Sequence, residues 1–131
     1  FTITYKNEIK AAKENSLPLE FTQVKDELEL QAVSLSAIDR GFSVVFAINE
    51  FPDHNGHSFG FGGQDYRYVA GITNADRFAY ELIEHIESRS AFENEDWLYV
   101  ITSDHGGHGR MHGTQLEADR MTFIAVNKRI I

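Results

Sequence analysis

Three short runs, Phe42 to Ile48, Trp97 to Thr102 and Met121 to Val126, are nearly continuous in apolar, β-branched and aromatic residues, and they constrain the fold more than anything else in the chain. Runs of this type suit strands buried on both faces, as in a parallel sheet, because a strand with one wet face alternates apolar with polar residues. Between the first two runs, Ile72, Ala75, Ala79, Leu82, Ile83 and Ile86 recur at helical spacing and predict a helix that covers one face of the sheet. Strand, helix, strand with a crossover of that length implies a right-handed parallel βαβ unit. The expected fold class is α/β, a layered parallel sheet flanked by helices.

Ahead of the first run, apolar residues at Val24, Leu28, Ala32, Leu35 and Ile38 form the stripe of a surface helix, which Gly41 stops. Residues 1 to 23 show no clean period, and Ser16-Leu17-Pro18 reads as a break. No internal repeat, low-complexity tract or linker divides the chain, so residues 1–131 are expected to form one domain. The chain opens with Phe1 and lacks a basic-then-apolar leader, which reads as a processed chain or a piece of a longer one. The longest apolar stretch, Val44 to Ile48, is far short of the roughly 20 residues a membrane span requires.

The formal charge of −8 works against a nucleic-acid polymer as partner, since such binding depends on clustered Lys and Arg. Small phosphate esters are still within reach if bound metal ions reverse the local field. With no cysteine in the chain, a metal site has to be built from His, Asp and Glu.

Such residues cluster in the segments beside the predicted strands. Asp53 and His57 lie four apart, so a single helical turn would bring carboxylate and imidazole to one ion; a polar loop with a helix cap is the better account of that pair taken alone. Thr102-Ser103-Asp104-His105-Gly106-Gly107 follows the second run, where adjacent polar residues can converge only after strand alternation has ended. The stretch Gly107 to Gly113 adds His108 and His112 before the third run. His54 neighbours Asp53 without having to face an ion, and His85 falls on the predicted second helix. Asp76, Tyr66 and Tyr68 could line a pocket or simply a solvated face, and no role is assigned to them.

Taken together, Asp53-His54-Asn55-Gly56-His57, Thr102-Ser103-Asp104-His105-Gly106-Gly107 and His112-Gly113 resemble, in order and spacing over residues 24 to 131, the metal-binding half of the alkaline phosphatase superfamily. The wording Asp96-Trp97-Leu98-Tyr99-Val100-Ile101-Thr102-Ser103-Asp104-His105-Gly106-Gly107 resembles the nucleotide pyrophosphatase/type I phosphodiesterase branch most. The resemblance implies the C-terminal portion of an alkaline-phosphatase-like fold and two divalent metal ions. Zinc suits the nitrogen and oxygen donors best. It implies that Asp53, His57 and His112 bind one ion while Asp104 and His105 bind the other, with His108 the alternative to His112. It also implies hydrolysis of a small phosphate ester, diester or pyrophosphate cleavage before monoester cleavage, and leans toward an extracytoplasmic setting.

In that family a pair of metals activates a Thr or Ser nucleophile that belongs to a preceding N-terminal half. Nothing in residues 1 to 52 resembles that half, and Thr22 and Asp26 read as the approach and start of a helix. The nucleophile is therefore not found in this chain, and the missing half would be its partner. Two alternatives stay open: a non-catalytic metal-binding or interaction module, and a phosphatase, sulfatase or phosphomutase on the same metal scaffold.

Overall fold

The computed structural model describes residues 6–129, and the aperiodic N-terminal stretch read above lies outside it for its first five residues. Among the described residues, five helices and two short strands follow in the order α1 (Lys6–Glu14), α2 (Glu27–Asp39), α3 (Phe51–Phe59), α4 (Tyr66–Ser88), β1 (Val100–Thr102), α5 (Glu117–Arg120) and β2 (Ile124–Val126). A 3-10 turn at Phe92–Asn94 separates α4 from β1.

Helix boundaries follow local chemistry. Asp26 caps α2 by accepting the Glu29 N–H at 2.8 Å, which satisfies one first-turn donor, and Glu29 returns a bond by accepting the N–H of Lys25, just ahead of the cap, at 2.9 Å. At the other end Gly41 takes φ +77, its N–H reaches Ile38 O and the Phe42 N–H reaches Ala37 O, the paired closure of a Schellman motif. α1 ends before Ser16, itself at φ 52, which is the break read at Ser16-Leu17-Pro18.

The buried face of α2 differs from the expected stripe. Ser34 and Ile38 are buried, Gln31 hydrogen-bonds Glu81 of α4, and Leu28 is 79% exposed. The expected stripe is thus buried only at its end, at Ile38, while Gln31 and Ser34, one position ahead of Ala32 and Leu35, take the inner places on the preceding turns. α4 spans the predicted helix and buries Gly71 and Ile86, but it packs against α2 and α3 rather than on a sheet.

The expectation of a layered parallel sheet is overturned. β1 and β2 form a two-stranded antiparallel ladder, with Val100 opposite Val126 and Thr102 opposite Ile124. The loop and short α5 between them return the chain beside β1 in the opposite direction, and no helix crosses over. The run Phe42 to Ile48 forms no regular element and pairs with no strand among the described residues; Val44 is 80% and Phe46 83% exposed. Neither β strand is buried. The βαβ unit, and with it the alkaline-phosphatase-like sheet, is absent among the described residues. Apolar, β-branched composition sets a preference for extended backbone, whereas pairing and direction depend on partners distant in sequence.

Candidate metal centre

Three segments of the chain meet at one point. α3 carries Asp53 in its first turn and His57 in its last, with Pro52 at the helix start, where its missing N–H is not needed. A carboxylate in that first turn also faces the positive end of the helix dipole. The loop after β1 carries Asp104 and His105, and the next turn carries His112.

The donor atoms lie close together. His57 Nε2 is 3.1 Å from His112 Nε2 and 3.5 Å from Asp53 Oδ2, and His112 Nε2 is 3.4 Å from Asp53 Oδ1. Donors each 2.0–2.1 Å from a tetrahedral zinc ion stand about 3.3 Å apart; these separations are of that size, with Asp53 facing His57 through Oδ2 and His112 through Oδ1. His105 Nε2 lies further out, 4.0 Å from Asp53 Oδ1. The donors of Asp53, His105 and His112 also lie within 4.8 Å of one another, so His57 and His105 flank a shared Asp53–His112 pair. Asp104 stands apart: its side chain is 80% exposed and lies 3.7 Å from the Nε2 of its neighbour His105.

Backbone carbonyls set the histidine tautomers. His57 Nδ1–H donates to Arg110 O at 2.9 Å and His105 Nδ1–H to Gly106 O at 2.8 Å. In the neutral ring each Nε2 is left with a lone pair facing the cluster. The rings of His105 and His112 stack with centroids 3.8 Å apart. Asp53 Oδ1 is shielded from solvent and has no hydrogen-bond partner among the described residues. A buried carboxylate oxygen without a donor is destabilising, and a cation is the simplest group that removes the penalty.

Glycines let the segments approach. Phe61 is wedged between α3 and the loop: a Cβ on Gly56 would come within 2.3 Å of its ring and one on Gly107 within 2.5 Å. Its ring meets His57 and His112 edge-on, with centroids at 5.5 and 6.0 Å.

Of the sequence-derived residues, Asp53, His57, His105 and His112 come together and Asp104 reaches only the margin. His108 does not join them; its Nδ1 bonds Asp119 Oδ1 at 2.6 Å. His54 is exposed on α3, and His85 Nε2 lies 2.7 Å from Asp39 Oδ1, tying α4 to the end of α2. Tyr68, assigned no role above, contributes a wall: its ring meets Phe61 at 5.6 Å, and burial, reinforced by the charge of Asp53, raises its phenol pKa. Phe61 and Asp119 were not singled out from the sequence. Gly56 and Gly107 hint at a close approach there, but nothing local says what approaches.

Compared with descriptions of known protein families, with curated proteins and with solved structures, the chain matches none.

Proposed function

We propose that this chain carries the metal-ligand part of a phosphoric-ester hydrolase acting on phosphodiesters or nucleotide pyrophosphates, without the nucleophile. The observation that supports it is the unpartnered Asp53 Oδ1 amid imidazole nitrogens from separate chain segments. Asp53, His57 and His112 would hold one divalent ion, with zinc the best match to their donors. His105 and Asp104 belong to a second position that is incomplete in this chain. An ion bound there supplies positive charge against the charge that develops on phosphoryl oxygens. Arg110 O and Gly106 O fix the rings of His57 and His105, and such partners of ligating histidines hold ring orientation and tautomer.

The reaction class rests on the motif resemblance and not on the fold. Hydroxyls beside the cluster are engaged: Thr102 donates to Phe123 O at 2.6 Å, Ser103 to His105 O, and Thr114 to Asp119 Oδ2 at 2.6 Å. Each of the three is tied by its bond to its own part of the loop, and the second reading is a metal-binding module without catalysis.

Zinc competition against a chromophoric chelator tests the ligand assignment. His57→Ala should abolish the tighter site and His108→Ala should leave it nearly unchanged, while His54→Ala should cost at most the roughly 10- to 100-fold typical of residues around the ligands. If His108→Ala does more damage than His57→Ala, the assignment is wrong.

A further inference from the structure

Asp119 is the only buried charged residue among those described, and its bonds run to the loop that bears the histidines. Its Oδ1 accepts from His108 Nδ1 at 2.6 Å, and its Oδ2 accepts from Thr114 N at 2.8 Å and Thr114 Oγ1 at 2.6 Å. Its backbone oxygen accepts the Gly106 N–H at 2.9 Å. Beside it, Ala118 O presses so close that a Cβ on Gly106 would stand 2.1 Å away. α5 therefore grips the loop at Gly106, next to His105, and again at His108 and Thr114, on either side of His112.

Between those grips the loop closes on itself. His108 and Met111 exchange backbone bonds of 3.0 Å each way, and Gly109 turns the chain at φ 52. That turn presents Arg110 O to His57, and Gly109 O accepts the Phe61 N–H at 2.6 Å. The orientations of His57, His105 and His112 thus share one anchor, although Asp119 touches none of the three rings.

We propose that Asp119 is a positioning residue for this centre: it holds the loop so that His105 and His112 face Asp53 and Arg110 O meets His57, without itself contacting the ion. The inference rests on the metal reading above. A carboxylate suits the task because its two oxygens accept donors from both sides of His112 at once, and charged acceptors make the stronger hydrogen bonds.

The test uses the whole chain with Asp119→Ala, Asp119→Asn and Thr114→Val. In the metal-free protein at mildly alkaline pH, nitrogen-15 NMR of the imidazole rings should show wild-type His57 and His105 protonated at Nδ1, and His112 shifted by its stacked neighbour. Asp119→Ala should lose these signatures and weaken zinc binding by about 10- to 100-fold. Asp119→Asn keeps an acceptor for Thr114 and should recover most of the affinity. Thr114→Val removes a single hydroxyl donor and should weaken binding in the same direction by less, which keeps the proposal testable if Asp119→Ala does not fold. A purely structural Asp119 would lower thermal stability and leave tautomers and zinc affinity of the folded protein alone, and that result would overturn the proposal by itself. Failure of the wild-type chain to bind zinc would instead overturn the metal reading and this proposal with it.

Discussion

Asp119 shows how one side chain can carry both stability and site geometry. The Thr114 hydroxyl, then His108, hold its carboxyl at about 2, below the usual carboxylate range. Because the folded value is depressed, its contribution is present above the unfolded value near 3.8 and is lost as pH falls toward 2. Asp65, held at about 2 chiefly by the Arg67 side chain, titrates in the same window. Chemical denaturation of the chain should therefore show stability falling between about pH 4 and 2. Asp119→Asn should start less stable at neutral pH, with its difference from wild type narrowing across that window. A constant difference down to pH 2 would contradict the assigned role of the charge. Asp53 and His57 stood out in the sequence only beside the Asp104-His105 and His112 segments, whereas Asp119 did not stand out at all, since its partners His108 and Thr114 are brought to it by a turn that no period announces.

Of the helices, α2 and α4 were legible, while α1 lies in the stretch that showed no clean period; where start and stop signals are local, the sequence carries them. Asp26 and Gly41 bound α2 through bonds within four residues of each, so sequence suffices. Asp26→Ala removes the acceptor for the Glu29 N–H and should cost about 1 kcal/mol in urea denaturation, while zinc affinity at the distant α3 stays the same. No measurable loss would mean that the cap is replaced by solvent. Strands were misread for the complementary reason. Phe42 to Ile48 has the composition of a buried strand, yet burial requires a partner, and among the described residues none pairs with it. The last three residues of Trp97 to Thr102 and of Met121 to Val126 do pair, and the chain reversal between them makes the ladder antiparallel.

On the scale of the whole molecule, the candidate site does not depend on the sheet that was expected around it. α3 packs on α4, the post-β1 loop packs on α5, and Phe61 joins the two halves between Gly56 and Gly107. On the proposed reading, in which the nucleophile and part of the second ligand set lie outside this chain, hydrolysis of bis-p-nitrophenyl phosphate by residues 1–131 should be undetectable. Without a positioned nucleophile, effective molarity that reaches about 7–11 kcal/mol in well-oriented systems is forfeited. Chelator-sensitive turnover abolished by Asp104→Ala would show that a nucleophile is present after all. The central claim, a metal centre built on Asp53, His57 and His112, is tested most directly by emission spectroscopy of metal content after zinc loading and dialysis at neutral pH. The account predicts about one zinc ion per chain, since three convergent donors should retain it; a folded chain retaining less than about one-tenth of an ion would contradict it.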